Sequence, residues 1–165
     1  MTKLPRRALL GLIGTGSIAA FALGGRRADA NPHADHRHPV RLTEAQWKAK
    51  LGPKRYRILR QAGTEPPFSH AYNEEKRRGT YHCAGCDALL FTSDTKYESR
   101  SGWPAFYAAR VDSIHYSHDT SLMMVRTEEH CANCGGHLGH VFDDGPKPTG
   151  KRHCINGLAL TFRPA

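Results

Sequence analysis

Beyond residue 30 this 165-residue chain has no apolar run long enough to cross a bilayer, which excludes an internal membrane span. It has no internal repeat apart from two Cys-x-x-Cys pairs, so a solenoid or propeller is excluded as well. It lacks any basic run interleaved with aromatics, and this argues against a nucleic-acid partner despite a formal charge of +9. Much of that charge is local. Lys3, Arg6, Arg7, Arg26 and Arg27 face only Asp29 in the first thirty residues, and without that segment the balance falls to +5. The length leaves room for one hydrophobic core and not comfortably for two. The five cysteines are an odd number, so disulfides alone do not account for them.

The first thirty residues read as a targeting segment. Thr2 to Arg7 is basic, Ala8 to Leu23 is apolar, and Ala28-Asp29-Ala30 has the small-x-small form of a cleavage site. Arg6-Arg7 directly before Ala8-Leu9-Leu10 resembles a twin-arginine export signal. The apolar run, about sixteen residues diluted by Gly11, Gly14, Thr15, Gly16 and Ser17, is short of the roughly 20 that a spanning helix needs. The expectation is export to a bacterial periplasm with cleavage after Ala30; the alternative is an uncleaved signal that anchors the protein to the membrane. Residues 31–41, with His33, His36 and His38, read as a flexible His-rich leader, and 42–165 as the folded domain.

Leu42 to Leu59 reads as helical, with Thr43 and Gln46 spaced as a capping box and Trp47 and Leu51 on one face. Gly52-Pro53 interrupts it, which predicts two short helices. From Gly79 onward the pattern is short strands divided by Gly, Pro and Asp turns: Gly79–Cys83, Ala88–Phe91, a start at Ala105–Ala109, Ser121–Thr127, His137–Asp143 and His153–Phe162. The expected fold is a mainly β, compact domain of antiparallel sheets capped by the N-terminal helices.

Cys83-Ala-Gly-Cys86 and Cys131-Ala-Asn-Cys134 are two knuckles whose four thiolates match one tetrahedral structural zinc ion per chain. Two disulfides or two redox-active dithiols are the competing readings. Cys154 stands apart. On a strand of period two, Arg152, Cys154 and Asn156 share one face, and His153 and Ile155 take the other. A thiol beside a guanidinium is expected to be pushed toward the thiolate, though a free cysteine is as often a small buried hydrophobe. His82, His115, His118 and His130 read as surface or strand-pairing residues, and Gly63–Phe68 as an irregular surface wrap.

Six motifs stand in order along the chain: Gly63-Thr-Glu-Pro-Pro-Phe68, Gly79-x-Tyr-x-Cys-x-x-Cys86, Ser101-Gly-Trp-Pro-Ala-Phe106, His137-Leu-Gly-His-Val-Phe142, Asp144-Gly-Pro146 and Arg152-His-Cys-Ile-Asn156. Together they resemble the peptide-methionine (R)-S-oxide reductase family, MsrB. The resemblance runs from about Leu42 to Phe162. It implies a fold of two antiparallel sheets with a four-cysteine zinc site and no organic cofactor. It also implies thiol-dependent reduction of R methionine sulfoxide through a Cys154 sulfenic acid. The catalytic set carried over is Cys154, His140, His137, Arg152, Asn156 and Asp144, with Trp103 as the wall for the substrate methyl group. By the match, His140 stabilises or protonates the sulfoxide oxygen and His137 assists it, with a bend at Gly139 turning both toward the sulfur. Arg152 depresses the thiol pKa, Asn156 donates to substrate or water, and Asp144 orients an imidazole or engages Arg152. Where many relatives hold a second, resolving cysteine, this chain has Ser101. The implied partner is therefore an external thiol, a thioredoxin-like protein or a small thiol, acting on a monomer that binds oxidised proteins and not nucleic acid. A zinc-ribbon-like binding module without catalysis is the alternative. It leaves the Arg152-Cys154-Asn156 face without a purpose.

Overall fold

The computed structural model describes residues 38–120 and 125–165. The expected targeting segment, His33 and His36 of the leader, and residues 121–124 of the expected strand at Ser121–Thr127 lie outside the described residues. Among the described residues no helix is long and apolar enough to cross a membrane.

The helix α1, Glu44–Gln61, begins at the expected cap: Gln46 N donates to Thr43 Oγ1 at 3.3 Å and Thr43 N to Gln46 Oε1 at 2.8 Å. It breaks where expected, at Gly52, whose φ of 65° and ψ of 171° no helical residue adopts. The two halves present Trp47, Leu51, Ile58 and Leu59 to the core. Arg60 lies over the Trp47 ring at 4.9 Å and donates to the Cys134 carbonyl at 3.0 Å, which ties the helix to the second cysteine knuckle.

Among the described residues nine strands follow: β1 Gly79–Cys83, β2 Leu89–Thr92, β3 Lys96–Tyr97, β4 Ala105–Phe106, β5 Ile114–Asp119, β6 Arg126–Cys131, β7 His137–Phe142, β8 Arg152–Ile155 and β9 Leu160–Pro164. They form two antiparallel sheets, one ordered β2-β1-β9 and the other β3-β4-β8-β7-β6-β5. Tyr81, Phe91, Phe106, Leu138, Ile155 and Leu160 form the core. The Phe91 and Phe106 rings stack at 4.2 Å, and Tyr81 meets Phe106 edge-on at 5.0 Å. Each ring so buried contributes about 1.5–3 kcal/mol.

Two strand expectations are corrected, and one long strand was not foreseen. The expected strand His153–Phe162 is two strands, β8 and β9, one in each sheet, joined by a helical turn at Gly157–Ala159. Its imperfect alternation was the sign of that crossing, and Gly157 makes it possible: a Cβ there would lie 2.3 Å from the His70 ring. The described part of the Ser121–Thr127 strand starts only at Arg126 and continues to Cys131, through charged residues that a hydropathy reading passes over. β5, Ile-His-Tyr-Ser-His-Asp, was not expected at all, because its one buried residue is Ile114.

The register between β6 and β7 positions the functional face. Glu128 pairs with His140 and Glu129 with Gly139, but the next pair is His130 with His137, so Leu138 is an extra residue. Such a bulge reverses the side-chain alternation along β7. Residues 137 and 140, three apart, thereby share a face. The expected bend at Gly139 is a bulge one residue earlier. Gly139 itself is needed because a Cβ there would lie 2.0 Å from the Cys154 carbonyl oxygen on β8.

Candidate active site and four-cysteine centre

On the six-stranded sheet His140 pairs with Cys154 on one side and with Glu128 on the other, and Glu128 with Ser117. Cross-strand partners face the same way, so these four side chains form one polar row. The neighbouring row holds Asp119, Arg126, Phe142 and Arg152. His153 and Ile155 turn to the core instead, as expected: His153 packs on Phe91 and its Nδ1 meets the buried Glu129 at 2.5 Å.

Cys154 opens onto a cavity of about 110 Å³ whose walls include Trp103, His140, Arg126, Phe142, Thr64 and Asn156. Trp103 is fixed by its indole N–H, which donates to the Glu65 carbonyl at 3.0 Å. It lies just after Gly102, whose φ of 96° and missing Cβ let Pro67 pack against the turn. Ser101 Oγ is 3.8 Å from Cys154 Sγ.

The electrostatics differ from the expectation. Burial pushes the Cys154 thiol up, and the Ser101 hydroxyl and the Arg152 guanidinium offset this only in part. Arg152 is occupied: Nε and Nη2 each donate to an Asp144 oxygen at 2.8 Å, and the guanidinium stacks on Phe142 at 4.3 Å. The guanidinium still favours the thiolate, but with its charge shared with Asp144 it does not overcome the burial of the sulfur. Of the two expectations for Asp144, engagement of Arg152 is the one seen.

His140 Nε2 lies 2.8 Å from Asp119 Oδ2, and Asp119 also meets Arg126 Nη2 at 2.6 Å. Burial lowers the His140 pKa, and the bond to Asp119 opposes that shift without reversing it. A neutral ring bonded to a carboxylate through Nε2 keeps its proton there, which leaves Nδ1 unprotonated. His137 is not directed at the sulfur by any bond of its own. Its Nδ1 is 2.5 Å from Glu128 Oε1, its buried Nε2 has no hydrogen-bond partner among the described residues, and its ring meets that of His140 at 5.6 Å. Burial would raise the Glu128 carboxyl, but hydrogen bonds from His130 and His137 outweigh it and hold Glu128 as a carboxylate.

Asn156 borders the cavity; its Nδ2 donates one proton to the Leu138 carbonyl at 3.0 Å and its Oδ1 accepts from Glu65 N at 3.0 Å. Its amide holds the wall. Glu65, expected in a surface wrap, is 4% exposed, and its carboxylate accepts from Gly157 N at 2.6 Å and Leu158 N at 2.9 Å. Glu65 thus joins Trp103, Asn156 and the β8–β9 crossing. His130, expected at the surface or in strand pairing, pairs with His115 and His137 in the sheet and is buried beside Glu128 and Ser117. Glu65, Asp119, Arg126 and Glu128 were missed because no spacing rule marks an acid or a base whose partner is remote in sequence.

The other four cysteines meet at one point. Cys83 Sγ is 3.7 Å from Cys134 Sγ, and Cys86 Sγ is 3.5 Å from Cys131 Sγ. Zn–S bonds of about 2.3 Å in a tetrahedron place sulfurs roughly 3.75 Å apart, whereas a disulfide would need about 2.05 Å. All five cysteines are free, so neither the two-disulfide reading nor an oxidised dithiol is seen. The Gly85 amide supports the Cys83 sulfur at 3.4 Å. The cluster fits one structural zinc ion, held by Cys83, Cys86, Cys131 and Cys134. His38 and Val40, expected in the leader, lie on the second knuckle: Val40 N donates to the Asn133 carbonyl at 2.9 Å, and His38 Nδ1 is 3.0 Å from the Ala132 carbonyl.

Comparison with known proteins agrees with this geometry. The SelR domain family matches residues 51–164. A peptide methionine sulfoxide reductase MsrB of Pseudomonas putida is 54% identical over 123 residues, covering 74% of this chain and 92% of the relative. One of Leptospira interrogans is 53% identical over 127 residues, covering 76% and 97%. The solved "Yippee-like" domain of Mis18 matches 54% of this chain and 98% of its own at TM-score 0.45 and 16% identity, which supports no conclusion here. On the family match and these relatives, the chain belongs to the peptide methionine sulfoxide reductase MsrB family, oxidoreductases that act on sulfur.

Proposed function

We propose that the protein reduces the R epimer of methionine sulfoxide, carried in oxidised proteins, and that Cys154 takes the oxygen. One observation carries this reading: Cys154 borders a cavity with an indole and an imidazole, while the other four cysteines are bound to one another's company in the cluster. The substrate methyl group packs on the Trp103 face, which suits a sulfur-borne apolar group. The oxygen lies toward His140 and Arg126. Cys154 Sγ attacks the sulfoxide sulfur, and as it does so the neutral His140 takes the thiol proton and returns it to the oxygen. The step balances without an outside proton: Cys–SH and R–S(O)–CH3 give Cys–S–OH and R–S–CH3. Arg152 stabilises negative charge that develops on the sulfur, with Asp144 holding the guanidinium in place. Asn156 keeps the cavity wall in position, and His137 packs beside His140 with Glu128 fixing its ring.

Ser101 cannot close a disulfide, so the sulfenic acid is resolved from outside. An external thiol forms a mixed disulfide with release of water, and a second thiol frees Cys154. That thiol belongs to a thioredoxin-like protein or a small molecule. The basic, apolar and small-residue order of residues 1–30 supports export to the periplasm by a twin-arginine-type signal.

Stereochemistry tests the reading. With methyl, oxygen and chain each given a place around the sulfur, the mirror-image sulfoxide must exchange two of them; the resemblance of the motifs is the ground for expecting the R hand. Separate assays on the two epimers of a methionine-sulfoxide peptide should show turnover of R and essentially none of S. Preference for S, or full activity in Cys154→Ser, would overturn the assignment.

A further inference from the structure

The polar face carries a second donor set that the reduction does not use as a group. Glu128, His130 and His137 are all buried, and one donor atom from each lies within 4.8 Å of the other two. The Leu138 bulge creates the arrangement, because it brings His137 opposite His130, which is two residues from Glu128 on the same strand face. Glu128 Oε1 is 2.5 Å from His137 Nδ1, and Oε2 is 3.4 Å from His130 Nε2. Ser117 Oγ adds a fourth donor, 2.9 Å from His130 Nε2 and 3.5 Å from Glu128 Oε2.

Two imidazole nitrogens, a carboxylate and a hydroxyl around one point are donors for a first-row divalent cation, unlike the four thiolates of the cysteine centre. Bonds of about 2.0–2.1 Å in a tetrahedron set donor atoms roughly 3.3 Å apart. The 3.4 Å spacing from His130 Nε2 to Glu128 Oε2 is already close to that value. To admit an ion the Glu128–His137 contact must open by about 0.8 Å and the Ser117–His130 contact by about 0.4 Å, with the donors of the triad already within 4.8 Å of one another.

We propose that Glu128, His130 and His137 form a second, exchangeable site for a divalent transition-metal cation such as Zn²⁺. Loading it engages the His137–Glu128 pair that packs beside His140, so the metal-bound form turns over more slowly. The slowing rests on the proposed reductase function; the binding does not, and the two are measured separately.

The test uses the full chain with its tetrathiolate centre filled, dialysed to equilibrium against Zn²⁺ and then Co²⁺. His130→Ala should hold one metal fewer per chain than the wild type under the same conditions. The leader histidines are present in both and cancel from the difference. Cys154→Ser should hold as much as the wild type. Co²⁺ in this site should give weak visible bands without thiolate charge transfer, a readout that needs no variant and so survives any failure of His130→Ala to fold. Added Zn²⁺ should inhibit the wild type several-fold and His130→Ala much less. Equal metal content in wild type and His130→Ala would overturn the proposal. So would loss of the extra metal in Cys154→Ser, which would put the ion on the catalytic thiol. A strong thiolate-to-cobalt band from the added ion would contradict it as well. Binding without inhibition would leave the site standing and remove its effect on turnover.

Discussion

The same sulfur atom has two fates in this molecule. Cys83, Cys86, Cys131 and Cys134 sit on two tight turns at strand ends, Sγ to Sγ at 3.5–3.7 Å, where a metal can use all four. Cys154 sits within a strand, with a serine hydroxyl 3.8 Å away and a cavity in front of it. Geometry separates them more than acidity does. The four are placed to share one cation, and Cys154 is placed to meet a substrate with no second thiol in contact. A cysteine's chemistry here follows from its neighbours' atoms and from which face of a strand it takes.

The comparison predicts opposite consequences for the same substitution. Cys131→Ser removes a zinc ligand and should lower stability by several kcal/mol, because the binding energy of such a site is folding energy. Thermal unfolding and metal content check it together. Cys154→Ser should leave both unchanged and lower turnover by about three orders of magnitude or more. Similar unfolding midpoints for the two variants would erase the distinction.

A smaller effect tests the support of the reactive side. Glu65→Gln keeps the size but weakens two backbone bonds at the β8–β9 crossing. It should cost about 1–3 kcal/mol in denaturant unfolding, with a rise in KM as Trp103 loosens. A neutral result in both would show that Glu65 does not hold the cavity wall.

The smallest effect concerns acidity. With burial holding the Cys154 thiol pKa above its ordinary value, alkylation by iodoacetamide should rise about tenfold per pH unit from pH 6 to 8 without levelling off. Asp144→Asn removes the counter-charge on Arg152 and leaves its full positive charge near the sulfur. The thiol pKa should then fall and alkylation at pH 7 increase a few-fold. A plateau below pH 7 in the wild type would show a preformed thiolate.

What the sequence made legible was local. Thr43 and Gln46 declare their cap within four residues, Gly52-Pro53 its break, and each Cys-x-x-Cys its turn. The alternation around Cys154 placed Arg152 with it and His153 away from it, as the structure has them. Contacts between distant strands were not legible. The Asp144–Arg152 pair was one of two roles foreseen for that acid, but Asp119, Arg126 and Glu128 gave no sign, and the burial of His130 follows from Glu128 and Ser117, which reach it only once the sheet forms. The Leu138 bulge, which decides that His137 and His140 share a face, exists only as a relation between β6 and β7. No spacing within β7 encodes it.

A single turnover without reductant tests most directly the claim that Cys154 works alone. Zinc-loaded protein mixed with excess R sulfoxide should release one methionine per chain, leave Cys154 reactive toward a sulfenic-acid trap, and keep its zinc. A disulfide between Cys154 and Cys83, Cys86, Cys131 or Cys134, with zinc entering solution at the rate of methionine formation, would show that the two kinds of cysteine are not separate after all.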